Sequence, residues 1–366
     1  MRNLSSLAWL ALMLLIATAR EAPADVVTFA DPNLEAAVRS QLGIVPPTPV
    51  TTADMAAMGT VDAHERDVSD LTGIEHAVAA RYVYLSRNHI AQLAPLSALP
   101  SVQELQLDQN AIQDLSPLSA LTSLRLLDLT ANQIVDISPV ASLPNVTHLY
   151  LGFNRISSLA PLSASGSSLR FLGAESNLID DLTPLAGLQS LEAVGLSNNH
   201  ITHIPLLPSM PNVFGLSLAN NEVTDISGIG SFGALWMLNL EGNHITDISP
   251  LADLGSLEWL SLAHNNLADA AALEGMTSLG YLDLGQNGIA DISPLADLTQ
   301  LVRLDLRGNP LNEEAYSIYL PLIQANNPTA AILYDPVPEP GTLALVAVAT
   351  TLLLAHRRRI HCRPTA

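Results

Sequence analysis

Apolar residues return every 22 positions along most of the chain, in the pattern LxxLxLxxNxI. One copy consists of Leu257, Leu260, Leu262, Asn265 and Leu267. Two leucines separated by one residue indicate a short strand, because the side chains of a strand alternate between its two faces. The 22-residue period therefore predicts that each coil adds one strand to a parallel sheet.

An asparagine occupies the same position in each copy. The steps are 22 residues long, with one step of 23, and the column consists of Asn88, Asn110, Asn132, Asn154, Asn177, Asn199, Asn221, Asn243, Asn265, Asn287 and Asn309. The extra residue falls in the Gly/Ser-rich stretch 163–168, and a degenerate earlier copy has Arg66 in this position. A side-chain amide can satisfy backbone groups at a strand end, so we expect these asparagines to face inward.

Turn signals lie between the strands. Ser or Thr is followed by Pro at 116–117, 138–139, 183–184, 249–250 and 293–294. Ser and Thr are preferred N-cap residues, and Pro is favoured at the first helical position. These pairs predict a short 3₁₀ turn in the coils that contain them, with Ser or Thr as its N-cap.

The ends of a solenoid need covers, because an open end exposes the apolar interior. Cap and stop residues predict a helix over 32–42 and a shorter helix over 52–58 that ends at Gly59. At the other end, a helix begins at 312–314 and a closing strand follows at 330–334. The predicted parts are a signal peptide (1–24), a helical cap (25–59), about 12 coils (60–311), a second cap (312–336) and a sorting signal (337–366).

The repeated motif resembles the leucine-rich repeat family. The segments DISPLADL at 247–254 and 291–298 resemble the bacterial internalin-like branch of that family. The resemblance implies an α/β solenoid with a parallel sheet on its concave face, short 3₁₀ or helical turns on its convex face and helical caps. It also implies that proteins are recognised through the concave face, in a fold that serves many unrelated partners.

Charge is distributed unevenly. Residues 25–340 contain nine arginines, no lysine and 34 Asp and Glu residues. Such a surface disfavours nucleic acid and direct contact with anionic lipid, and it favours cationic partners or divalent ions. The alternative is an acidic surface that only keeps the protein soluble. The single cysteine, Cys362, lies beyond the repeats, so disulfides and cysteine chemistry are not expected in them.

Aspartate recurs at one turn position, in Asp114, Asp136, Asp181, Asp225, Asp247, Asp269 and Asp291. One interpretation is a calcium rail, that is, a row of aspartates along the solenoid that binds calcium ions. We favour the other, in which each Asp accepts backbone N–H bonds in its own turn, because no DxDxDG loop occurs. His200 and His203 form an HxxH pair without a third ligand and are interpreted as surface residues. We expect no resident metal or other cofactor.

Catalytic and nucleotide-binding motifs find no support. The segment GIGSFG at 228–233 matches GxGxxG, but Ile229 and Phe232 occupy core positions of a coil. No GxSxG, HExxH or P-loop pattern occurs. We therefore predict that the protein is not an enzyme.

The strand positions that face outward lie two, four and six residues before each asparagine. Large side chains gather there in two groups, the first Met237, Trp259 and Tyr281 with Trp236 beside them, the second Tyr82, Tyr84, His148, Tyr150 and Phe171. Only 4% of the chain is aromatic, and exposing so many rings on one face is costly unless they are used. We predict that this face binds a protein or polysaccharide. The alternative is a structural matrix or envelope component without a specific ligand, whose side chains stack along the sheet.

The N-terminal segment has the features of a secretory signal. Arg2 supplies the positive start, residues 7–17 form an apolar segment, and small residues at 17–19 or 22–24 provide the cleavage site. This predicts an exported protein.

The C-terminal segment combines Pro338-Glu339-Pro340, an apolar run at 341–355 and Arg357-Arg358-Arg359. This combination resembles the PEP-CTERM sorting signal of bacterial surface proteins. The resemblance implies a transient hold in the inner membrane with the arginines on the cytoplasmic side, cleavage by an exosortase-type enzyme, and delivery to the cell surface or extracellular matrix. The chain continues through 360–366, so a permanent single-helix anchor is the alternative.

Overall fold

The computed structural model describes residues 25–164 and 168–336. In these residues, 13 short strands form one parallel sheet in which each strand pairs with its neighbours in the sequence. The strands are β1 (Thr60–Asp62), β2 (Tyr82–Tyr84), β3 (Glu104–Gln106), β4 (Leu126–Asp128), β5 (His148–Tyr150), β6 (Phe171–Gly173), β7 (Ala193–Gly195), β8 (Gly215–Ser217), β9 (Met237–Asn239), β10 (Trp259–Ser261), β11 (Tyr281–Asp283), β12 (Arg303–Asp305) and β13 (Ala331–Leu333). The predicted leucine-rich repeat solenoid is confirmed.

The interior is one continuous apolar core, because every coil points the same pattern positions inward. In the coil of β10, Leu257, Leu260 and Leu262 are completely buried. The degenerate first coil behaves in the same way, with Val61 and Val68 fully buried. Burial of a leucine-sized side chain contributes about 1.5–3 kcal/mol, so the repeated core positions supply most of the drive to fold.

The asparagine column lies inside the solenoid and links neighbouring coils. Asn243 Oδ1 accepts a hydrogen bond from the Val223 backbone N–H at 2.9 Å. Its Nδ2 donates to the carbonyl oxygens of Leu218, in the preceding coil, and Leu240, in its own coil, at 3.0 Å each. The residue before each column asparagine adopts a positive φ, from Arg87 at 56° to Gly308 at 73°. This conformation turns the chain so that the amide can reach inward.

Short 3₁₀ turns cover the convex side, as predicted, at Ile74–His76, Ala94–Ala98, Ser116–Ala120, Ser138–Ser142, Ala160–Ala164, Thr183–Gly187, Ser227–Ser231, Ser249–Leu251, Ala271–Leu273 and Ser293–Leu295. The predicted N-cap role of Ser and Thr is wrong. In the turn Ser116–Ala120, for example, Leu115 is the N-cap and Ser116 lies inside the turn. The Ser116 N–H and hydroxyl both donate to Asp114, at 2.8 Å each, because its two carboxylate oxygens can accept both bonds at once.

The N-terminal cap begins with helix α1 (Pro32–Leu42), which starts at the N-cap Asp31 and ends at Gly43 in a left-handed conformation. Helix α2 (Thr52–Ala56) is two residues shorter than predicted at its C-terminal end. The chain leaves the helix there because Met58 is buried in the core and β1 begins at Thr60. Asp31 also accepts hydrogen bonds from the Ser69 N–H at 2.7 Å and the Ser69 hydroxyl at 3.1 Å, which tie α1 to the first coil.

The C-terminal cap consists of a π-helical turn, Ala315–Tyr319, which continues into helix α3 (Leu320–Asn326). Strand β13 follows and pairs with β12 as the last strand of the sheet. Asn327 ties this cap to the last coil, since its side chain accepts from the Leu301 N–H at 2.9 Å and donates to the Leu298 carbonyl oxygen at 2.6 Å.

The predicted signal peptide and sorting signal lie outside the described residues. Among the helices of 25–164 and 168–336, none is both long and apolar enough to span a bilayer.

Candidate binding face on the concave sheet

The first predicted group forms a row across adjacent strands. Met237, Trp259 and Tyr281 are in register on β9, β10 and β11. The rings of Trp259 and Tyr281 stack with centroids 4.9 Å apart and planes 10° apart. Arg303 continues the row on β12, and its guanidinium carbon lies 5.8 Å from the Tyr281 ring centroid. The stack therefore ends in a cation that sequence reasoning missed.

Trp236 lies beside this row but stacks elsewhere. Its ring centroid is 6.0 Å from that of Phe214, with the planes 15° apart. Phe214 was missed in the sequence because it stands seven residues before its column asparagine, outside the three outward positions considered. Trp236 occupies the same position one coil later, and this repetition is the signal that identifies both residues.

The second predicted group is divided in two. His148 on β5 and Phe171 on β6 stack with centroids 4.6 Å apart, and Tyr150 lies on β5 two residues after His148. Tyr82 and Tyr84 lie on β2, and strands β3 and β4 separate them from β5. The structure thus places His148, Tyr150 and Phe171 together and Tyr82 with Tyr84 in a separate pair.

Small residues connect the two larger aromatic groups. Ala193 and Gly215 occupy the same row on β7 and β8, between Phe171 and Met237. They form the floor of a shallow, mainly apolar depression of about 260 Å³ that Tyr150, Phe171, Phe214 and Met237 border. The central part of the concave face therefore offers aromatic walls around a floor with little side-chain bulk.

Carboxylates surround these apolar groups. Burial raises the pKa of Asp128 on β4, and the hydrogen bonds from Thr130 only partly oppose this. Burial also opposes ionisation of Asp305 on β12, but hydrogen bonds from Arg307 and the positive charges of Arg307 and Arg303 lower its pKa. Burial, followed by the charge of Asp283, raises the pKa of Tyr281. The face is acidic, and both arginines at its C-terminal end contact Asp305.

The turn aspartates are occupied by local hydrogen bonds. Each accepts the backbone N–H two residues ahead at 2.8 to 3.0 Å, as the bonds from Ser138 to Asp136 and from Ala271 to Asp269 illustrate. His200 pairs with Glu222 at 3.0 Å. Within the described ranges, no group of three or more His, Cys, Asp or Glu side chains could hold a metal ion.

The GIGSFG segment has a structural explanation. Ile229 and Phe232 are completely buried. A Cβ atom at Gly228 would lie 2.1 Å from the carbonyl oxygen of Pro205, so this position requires glycine for the close approach of two coils. The segment is part of the convex packing.

These features define a leucine-rich repeat solenoid with an aromatic concave face. A family model described as leucine-rich repeats (2 copies) matches residues 122–164 and 255–296. The internalin InlF of Listeria monocytogenes is 32% identical, over 85% of this chain and 92% of that chain, with a TM-score of 0.78. The chain belongs to the internalin family of leucine-rich repeat proteins.

Two more distant structures share the fold. The functional domain of InlJ from Listeria monocytogenes is 20% identical over 84% of this chain and 69% of that chain, with a TM-score of 0.65. The plant peptide hormone receptor RGFR1, in complex with RGF2, is 17% identical over 71% of this chain and 46% of that chain, with a TM-score of 0.59. No curated protein sequence matches the chain.

Proposed function

We propose that this protein is an exported, non-enzymatic binding module that recognises a partner protein through its concave face. The internalin-like fold is that of a protein-binding scaffold, and the described surface of this chain supports the same use. The observation that carries the proposal is the set of aromatic rows aligned across neighbouring strands. Trp259 and Tyr281 stack in parallel, and an apolar depression extends from Met237 to Phe171.

Aromatic side chains suit such a role because they bury a large area and lose few rotamers on binding. Here they stand on a sheet whose register fixes their spacing, so little reorganisation is needed when a partner docks. The acidic residues around them favour a partner with a basic surface. A polysaccharide partner is the second candidate, since sugar rings also stack on aromatic faces.

The test is a pull-down with the full chain. Fractionated surface proteins and exopolysaccharide of the producing cells are passed over immobilised protein, with and without calcium. We expect selective retention of a protein by the wild type and its loss in the double variant Trp259→Ala, Tyr281→Ala. The control is Phe153→Ala, which removes an exposed ring outside these rows.

Each other result has a defined meaning. Retention of polysaccharide alone selects the second candidate. Retention by neither folded protein favours a structural component without a specific ligand. Calcium-dependent retention would support the interpretation of the turn aspartates as a calcium rail. Reproducible turnover of a substrate in hydrolase screens would contradict the non-enzymatic assignment.

We further propose that the chain is sorted to the cell surface or extracellular matrix. The support is the sequence of the termini, where a predicted export signal precedes the cap and a segment that resembles a PEP-CTERM signal follows β13. Cleavage by an exosortase-type enzyme would remove the segment after Pro338-Glu339-Pro340. Mass spectrometry of the mature protein tests this, since an intact C-terminus with Arg357 to Arg359 would favour a permanent anchor.

A further inference from the structure

At the border of the apolar depression lies a carboxylate that sequence reasoning did not single out. Glu175 lies two residues before its column asparagine, at the outward position that follows β6. Its side chain extends across a neighbouring glycine, because a Cβ atom built on Gly152 would lie 2.5 Å from Glu175 Oε1. The carboxylate therefore occupies space that a larger residue at Gly152 would fill.

Two more glycines keep the other side of this carboxylate open. A Cβ atom on Gly173 would lie 3.3 Å from Glu175 Oε2 and 3.1 Å from Tyr150 Cδ1. A Cβ atom on Gly195 would lie 3.9 Å from the same Oε2. Gly173 and Gly195 also line the apolar depression. The carboxylate thus lies at the border of the depression, beside the Tyr150 ring.

Glu175 has no ionic partner on the described part of the chain. The nearest arginine in sequence, Arg170, donates to both oxygens of Glu192, at 2.6 and 2.9 Å, and also lies over the Phe171 ring. No Lys or Arg follows in the sequence until Arg303, whose charge is directed to Asp305. The half-buried Glu175 is therefore left without a counter-charge from the described residues.

We propose that this place binds one basic side chain, Arg or Lys, from the partner protein. The apolar stem of such a side chain can lie on the floor of Ala193, Gly195 and Gly215, while its charged head reaches Glu175. The Tyr150 ring adds a cation–π contact at the same point. A charge-assisted hydrogen bond to a partly desolvated carboxylate is stronger than one between neutral groups. This inference rests on the proposed function and names the chemistry that the partner must supply.

The test uses a library of random dodecapeptides displayed on phage and selected on the full chain at low salt. The selected peptides should contain Arg or Lys, and replacement of that residue by citrulline or norleucine should weaken binding. Glu175→Gln should raise the Kd of the selected peptides roughly tenfold or more, as expected for the loss of a hydrogen bond to a charged group. Binding should also weaken with rising salt.

Two further variants make the result specific. Gly195→Val projects a side chain into the depression, from a strand position with no positive φ, and should block the peptides while the protein stays folded. Glu274→Gln, an exposed carboxylate on a convex turn, is the matched control and should bind like the wild type.

Three outcomes would overturn the inference: no selected peptide, selected peptides without a basic residue, or equal binding by Glu175→Gln. The proposed function is judged separately, by the pull-down with the Trp259 and Tyr281 variant. If that pull-down retains a protein and Glu175→Gln retains it equally, the binding module stands and the basic-residue site fails.

Discussion

The amide of the column asparagine is the residue-scale feature on which the coil geometry depends. In Asn243, for example, it accepts one backbone N–H and donates to three carbonyl oxygens, and these groups belong to two consecutive coils. The residue before the asparagine adopts a left-handed conformation, which is unfavourable by about 1–2 kcal/mol for a residue other than glycine. Positions such as Ser176 and His264 accept this conformation because the bonds of the next asparagine hold the turn in place.

Asn265→Ala tests this dependence. Asn265 accepts from the Ile245 N–H at 3.0 Å and donates to the Leu240 carbonyl oxygen at 2.9 Å. Its replacement leaves buried backbone groups without partners, so we expect the free energy of unfolding to fall by about 3 kcal/mol. Urea unfolding followed by circular dichroism gives this value. Asn266→Ala is the control, because Asn266 is exposed, and a similar loss in it would contradict the explanation.

At the scale of elements, one carboxylate both caps the first helix of the N-terminal cap and binds the first coil. Asp31 accepts the Asn33 N–H at 2.8 Å, which caps α1, and the Ser69 N–H at 2.7 Å, which belongs to the first coil. Asp31 therefore marks the start of the helix and helps to position it on the solenoid, where Asn33 and Gln41 also donate to backbone oxygens of the first coil. The apolar contacts of Leu34 and Val38 then close the end of the core.

Asp31→Ala should loosen this cap. The helix loses its N-cap and the Ser69 N–H loses its acceptor, so we expect a loss of about 2 kcal/mol in the free energy of unfolding. Hydrogen exchange should show faster exchange in α1 and β1 than in the central strands. Ser40→Ala, on the exposed side of α1, should leave both measurements unchanged. Uniform exchange in the Asp31 variant would mean that the other contacts of the cap hold it in place without Asp31.

At the scale of the whole molecule, local hydrogen bonds stabilise many of the negatively charged carboxylates. The formal net charge is −20, yet many carboxylates are stabilised by hydrogen bonds within the fold. The backbone N–H and hydroxyl of Ser116 lower the pKa of Asp114, and those of Ser138 lower the pKa of Asp136. In Asp31, burial acts in the opposite direction, but the bonds from Ser69, Asn33 and Asp70 prevail and lower the pKa.

These shifts predict loss of stability in acid. A carboxylate whose pKa is lower in the folded protein stabilises it above the unfolded pKa of about 4, and this contribution disappears as the pH falls through the folded value. The melting temperature should therefore decline below about pH 4. Asp128, whose pKa is raised, opposes the decline. Thermal unfolding from pH 7 to pH 3 measures it, and Asp31→Asn should show a shallower decline than the wild type. A melting temperature that rises below pH 4 would contradict the argument.

Much of the fold can be predicted from the sequence because each coil repeats the same local demands. Leu260 and Asn265 indicate the strand and the inward turn, and the same residue types return 22 positions later at Leu282 and Asn287. The site is harder to predict, since its contacts join residues of different coils. Glu175 can be recognised as a candidate site residue only when its position beside Gly152 and Gly195 is known, and Phe214 only when its stacking on Trp236 is known. The capping error has the same origin on a smaller scale: the Ser-Pro pair is visible, but the acceptor is the aspartate two residues before it.

The coil between β5 and β6 is one residue longer than the other coils of the asparagine column, yet His148 and Phe171 keep the register of the sheet. Length added outside the strands therefore leaves the spacing along the concave face unchanged, whereas a whole coil added or removed shifts it by one strand separation, about 4.8 Å. The number of coils between two contact residues therefore sets the distance between them. Removing the coil that contains β7 would bring Phe171 and Met237 one strand separation closer, so the solenoid would select partners whose own contact residues match the new distance.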